Sequence, residues 1–188
     1  VLTAEDHYLT GIRKTGIRPP GDVAAPPPAQ AEILPIGALV PDIAFTDETG
    51  RRRALSSYRG TYTLLTFIYT RCPLPDYCPR MNAHFAALQR SLKADPALGR
   101  SVRLLSVSFD PGFDTPARLA AKAKEMGADP ALCAALGLSV LREGPDGSNI
   151  THNLRTVLLD PDGKLARTYN GKAWSPEDVV RDLQAVVK

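Results

Sequence analysis

Cysteine is scarce in this chain. There are three in 188 residues, an odd number that excludes a complete disulfide framework and leaves at least one thiol free or bound to something else. Aromatic residues make up only 6% and are not interleaved with basic ones. Lys and Arg are dispersed among Asp and Glu, giving a net charge of +3 with no long basic block, so charge makes no case for a nucleic-acid partner. The densest cluster, RRR at 51–53, suits the solvated arm of a hairpin. No apolar run approaches the roughly 18 residues that a membrane helix needs, and the N-terminus lacks the basic-then-apolar pattern of a signal peptide. The chain begins with Val rather than Met, so that second absence excludes nothing.

What is present supports one hydrophobic core with an appendage, since 44% of the residues are hydrophobic and domains commonly run to about 100–150 residues. Residues 1–36 divide into a weakly alternating stretch, VLTAEDHYLTGI, and a Pro/Ala-rich run containing PPGDVAAPPPAQAEILP. The second favours extended polyproline conformations and buries little, so it is read as a linker. His7 is read as a solvated side chain. Residues 37–188 carry the domain signals. IAFTDETGRRRAL offers two short strands around a turn, and RGTYTLLTFIYT suits a strand buried on both faces. Met81, Phe85, Leu88 and Leu92 recur at helical spacing from Pro79 to before the LGR at 98–100.

VRLLSVSFD reads as a second buried strand. DTPARLAAKAKEMG is a helix capped by Asp114 or Thr115, ended by Gly127, with Leu119, Ala123 and Met126 on one face. LRTVLLD-PDG-KLARTYN is a hairpin by its turn chemistry. SPEDVVRDLQAVV is a helix capped by Ser175 with Val179, Leu183 and Val186 inward. Two parallel strands joined by a helix require a right-handed crossover, and the later hairpin completes a mixed sheet flanked by helices. This α/β order resembles a thioredoxin-like fold with an added N-terminal β-hairpin.

Two of the three cysteines fall in one Pro-bracketed loop, YTRCPLPDYCPRM. Cys72 follows a buried strand and Cys78 opens a helix, which puts both at the sheet edge where α/β proteins bind ligands. Unpaired N–H groups and the helix dipole there favour thiolate over thiol. Asp76 adds a carboxylate close by. A disulfide and a metal site remain alternatives, because five intervening residues allow the roughly 3.8 Å Cβ separation of a disulfide. His152, in NITHNLRTVLLD, precedes the strand that opens the C-terminal hairpin, and a thioredoxin-like sheet brings that entry loop to face the first helix. Two thiolates and an imidazole suit copper(I), and with an added carboxylate or water copper(II). His84 reads as a half-buried packing residue, Cys133 as a core thiol, Met81 as core, and Trp174 as packing for the last helix. Asp110 and Asp114, in SFDPGFDTP, read as turn and cap residues at the same sheet edge.

FIYTRCPLPDYCPRM, LLSVSFDPGFDTPARLA, GADP, ITHNLRTVLLDPDGKLARTYNGKAW and SPEDVVRDL, in that order, resemble the Sco/SenC family of copper-binding, thioredoxin-like proteins across roughly residues 37–187. The resemblance implies a metallochaperone on the outer, periplasmic side of a bacterial inner membrane, membrane-anchored in its full-length precursor. It would deliver copper to, or maintain the thiols of, the dinuclear copper centre of cytochrome c oxidase. Its partner would be the copper-bearing oxidase subunit or another periplasmic copper or thiol protein, and its ligands Cys72, Cys78 and His152. The family spaces its cysteines as CxxxC, whereas this loop reads CPLPDYC, and the segment after GADP is shorter than is usual. The N-terminal VLTAEDHYLTGIRKT resembles the last strand of a small copper-binding β-barrel of the CusF type.

The rival class is a thiol:disulfide oxidoreductase in which Cys72 attacks and Cys78 resolves the mixed disulfide. Such enzymes carry a cis-proline facing their cysteines, where this chain has Thr151, His152 and Asn153; this favours the copper-binding protein over the enzyme. A peroxiredoxin-like peroxidase ranks third, since Tyr69 stands where the TxxC pattern of that group has Thr.

Overall fold

β-Branched and aromatic residues concentrate in YTLLTFI, and that run forms β3 (Tyr62–Ile68), the central strand of the sheet. The computed structural model describes residues 34–110, 112–125, 133–137 and 154–187. In chain order a short antiparallel hairpin, β1 (Ala44–Thr46) and β2 (Arg52–Ala54), precedes β3. Then come helix α1 (Cys78–Ala94), short helix α2 (Pro96–Ser101), β4 (Val102–Ser108), α3 (Pro116–Glu125), β5 (Cys133–Gly137), β6 (Arg155–Leu159), β7 (Leu165–Asn170) and α4 (Pro176–Val186).

The five-stranded sheet has the order β5-β4-β3-β6-β7. β3, β4 and β5 run parallel, while β6 and β7 are antiparallel. This is the expected mixed sheet with its N-terminal hairpin. Side chains alternate across it with the two-residue period of a strand. Leu64, Ile68, Val102 and Leu104 join the core with α1 and α4 through Phe85, Leu88, Val179 and Leu183. Leu65, Leu105 and Val107 face the opposite way and pack with Phe45 and Leu55 of the hairpin region. Fully burying each such leucine contributes about 1.5–3 kcal/mol.

One expectation is extended and two are corrected. The first helix ends at Ala94, because Asp95 is extended and its carboxylate accepts from the N–H groups of Ala97 and Leu98, opening α2; Leu98–Arg100 are therefore helical. Gly99 permits that tight join, since a Cβ there would meet the Leu92 carbonyl oxygen at 2.8 Å. CAALG forms an edge strand beside β4 that its Ala- and Gly-rich composition does not signal. Val186, expected inward, is 40% exposed at the end of α4. Other local signals hold. Ser175 forms a capping box with Asp178, and Gly163, at φ 82°, makes the turn of PDG. Thr115 Oγ1 accepts from the Arg118 N–H and caps α3, with Asp114 engaged elsewhere. Met126, Gly127 and the N-terminal segment lie outside the described residues.

Candidate metal centre

The central strand delivers the chain to the site. After Ile68, β3 gives way to Tyr69–Tyr77, and α1 starts at Cys78 with Pro79 in its first turn, where the missing N–H costs nothing. Cys78 is 1% exposed, Cys72 is half-buried, and both are free thiols. A turn bond from the Cys72 N–H to the Tyr69 carbonyl (3.3 Å) and another from Tyr77 N–H to Leu74 O (3.1 Å) shape the loop. The Cys72 sulfur reaches the Leu74 carbonyl at 4.0 Å, and Cys72, Cys78 and the Tyr69 hydroxyl lie close enough to shift one another's titration. Beside them a cleft of about 310 Å³ is lined by Tyr69, Cys72, Cys78, Asn82, Ala83 and Lys122.

The same burial acts on the two thiols with opposite outcomes. Burial raises the Cys72 thiol, but main-chain bonds at Cys78 and Leu74, the Tyr69 hydroxyl and the Cys78 thiol outweigh it and hold Cys72 below the ordinary value. Burial pushes Cys78 up to about 12, and the neighbouring Cys72 adds to that rise. Tyr69 is raised first by burial and then by its bond to Cys72. Of the two thiols, Cys72 is thus the first to lose its proton and Cys78 the last.

Asp110 and Asp114 do more than shape a turn. Asp110 is fully buried and receives the Arg71 Nε–H at 2.6 Å. Asp114 accepts from the Thr70 N–H at 3.0 Å, the Thr70 hydroxyl and the Ser108 hydroxyl. Sequence alone does not reveal these ties to the cysteine loop; its signal is two aspartates four residues apart at a strand end on the cysteine side of the sheet. Asp76, expected to add a carboxylate near the sulfurs, is bonded instead to Arg80 at 2.6 Å and Lys172 at 3.2 Å. His84 packs edge-on against Trp174 with ring centroids 4.7 Å apart, and its Nδ1 is buried without a partner among the described residues. Burial, then the Arg80 charge, lowers its pKa against a smaller opposing effect of Glu177. Met81 is core, and Trp174 packs with Val179 and Leu183 of the last helix.

His152 lies outside the described residues. So does the side chain of Cys133, whose backbone pairs with Leu104. Among the described residues no group of three or more His, Cys, Asp or Glu is placed to hold a metal, and no helix is long and apolar enough to cross a membrane. The donor chemistry in hand is two adjacent sulfurs, which fits a soft ion such as copper(I).

A two-thiol site at the mouth of the first helix of a thioredoxin-like sheet defines a class of thiol or soft-metal proteins. The SCO1/SenC family model matches residues 36–188, and the chain belongs to that family. It is 29% identical to the SCO1 protein homolog of Bacillus subtilis over 80% of this chain and 84% of that one. BsSco, solved as a member of the Sco family of cytochrome c oxidase assembly proteins with a disulfide switch, is 30% identical over 80% of this chain and 94% of its own, with a TM-score of 0.66. Bradyrhizobium japonicum ScoI, solved with copper bound, shares the fold at a TM-score of 0.63 and 24% identity, over 79% of this chain and 99% of that one.

Proposed function

We propose that residues 37–188 are the copper-handling domain of a metallochaperone. In this reading Cys72, Cys78 and His152 bind copper, and the ion is delivered to the copper-bearing subunit of cytochrome c oxidase or to another extracytoplasmic copper or thiol protein. The observation that carries it is the pair of free, neighbouring thiols at the start of α1, one half-buried and one buried. Cys72, the thiol held below the ordinary value, offers the first sulfur. Cys78 keeps its proton until the ion displaces it, so binding releases protons and strengthens as pH rises. The imidazole of His152 is supported as third ligand by family membership. Family membership supports the oxidase as destination, and with it a place on the outer face of the bacterial inner membrane.

The test is competition of the reduced full chain against a chromophoric copper(I) chelator. One equivalent should bind; Cys72→Ser with Cys78→Ser should abolish binding, and His152→Ala should weaken it. Stoichiometric binding that survives all three substitutions would remove the site. A second reading, a thiol:disulfide oxidoreductase, draws on the same lowered Cys72 thiol. Catalytic turnover of insulin disulfides by the metal-free protein, lost in Cys72→Ser, would favour it.

A further inference from the structure

The position of Cys72 is set from outside the thiol pair. The four residues before it are each tied to the segment that follows β4. The Ile68 carbonyl accepts the Phe109 N–H at 3.2 Å. The Tyr69 ring lies against Phe109 with centroids 5.1 Å apart. Thr70 donates twice to Asp114, and Arg71 donates to Asp110 while lying 4.6 Å over the Phe113 ring. The ties stop there, and the next residue is the half-buried cysteine.

Asp114 is the junction of this arrangement. It is 4% exposed, and its carboxylate joins Thr70 to Ser108, itself 0% exposed, while its own N–H donates to the Asp110 carbonyl at 2.7 Å. A buried acceptor serving three donors leaves all three unsatisfied when removed, so Thr70 would turn toward other partners and carry its neighbours with it.

We propose that Asp114 is a positioning residue for the thiol pair: acting through Thr70, it holds the 69–72 stretch so that the Cys72 sulfur stays beside that of Cys78. It touches neither sulfur. Its effect is on the effective concentration of one sulfur at the other, which governs both disulfide closure and the sharing of one ion. Closure joins Cys72 Sγ to Cys78 Sγ and releases two protons and two electrons, which reduce glutathione disulfide to two glutathiones. The copper part of the inference rests on the proposed function; the glutathione part does not.

The experiment equilibrates the full chain, free of metal, in glutathione redox buffers and measures copper(I) affinity separately. Asp114→Asn should lower the closure constant about tenfold, a shift of about 30 mV toward the more oxidising side, and weaken copper(I) binding by a similar factor. Thr70→Val, which keeps the main-chain bond and the shape, should show about a threefold effect of the same sign, and Thr70→Ser should restore the parent values. Leu92→Ala, a core deletion in the last turn of α1, supplies loss of stability alone and should leave the closure constant unchanged. If Asp114→Asn does not fold, the Thr70 pair decides. Closure constants unchanged in Thr70→Val, or moved as far by Leu92→Ala, would overturn the proposal. Absence of copper binding in the parent chain would instead remove the proposed function and leave the glutathione result standing.

Discussion

Two buried aspartates, Asp47 in the N-terminal hairpin and Asp114 behind the cysteine loop, are 3% and 4% exposed and each organises several donors. Asp47 accepts from Thr49 N–H, the Thr49 hydroxyl, Arg51 N–H and Arg53 Nε–H, all within six residues of itself. Asp114 accepts from Ser108 six residues back and from Thr70 forty-four residues back. The first closes a turn that the chain forms locally. The second fastens two segments that only the parallel pairing of β3 and β4 brings together. Equal burial therefore serves different ends: one aspartate stabilises its own neighbourhood, and the other transmits the sheet's geometry to the loop that carries the chemistry.

The sharpest way to break that comparison is to remove each carboxylate. Asp114→Ala should cost about 3 kcal/mol in urea denaturation, because the Ser108 hydroxyl it leaves behind is fully buried, and it should disturb the thiol pair as well. Asp47→Ala should cost about 2 kcal/mol, since water can reach the half-exposed Arg53 left behind. Its copper(I) affinity should match the parent. Equal disturbance of the thiols by both variants would erase the distinction.

Acid provides a finer test. Burial alone would raise Asp47, but the Thr49 hydroxyl, the Arg53 guanidinium and the main-chain N–H groups of Arg51 and Thr49 outweigh it and hold the carboxyl at about 2. A depressed carboxyl contributes stability that is complete above its unfolded value of 3.8 and is lost as pH falls through about 2. The parent should lose this contribution over that window, and Asp47→Asn should lack that part of the decline. Ser175→Ala, which deletes another locally formed cap, should cost about 1 kcal/mol. Lys172→Ala should change stability by less than about 0.5 kcal/mol, although Lys172 reaches Asp76 across ninety-six residues, because both groups are exposed. A large loss there would show that chain separation, rather than burial, sets the cost.

The same division between local and distant determinants explains what could be read from the chain. The central strands, the start of α1 at a cysteine followed by proline, the PDG hairpin and the Ser175 cap are written in neighbouring residues. So is the placement of Cys72 and Cys78 at the sheet edge. β5 was not legible, since CAALG has neither β-branched nor aromatic residues and owes its conformation to pairing with β4. In sequence Asp110 and Asp114 read only as turn and cap residues, because their partners, Arg71 and Thr70, lie in another segment. Asp76 stands near the cysteines in sequence, yet the cations of Arg80 and Lys172 hold it.

The unequal exposure of the two sulfurs fixes an order of arrival. A donor protein or reductant approaching from water meets residue 72 first, while residue 78 is sealed under the first turn of α1. Under the proposed function, exchange at this site is a relay with an outer and an inner station: cargo would change hands at the doorstep before it is drawn inward, and leave by the same door.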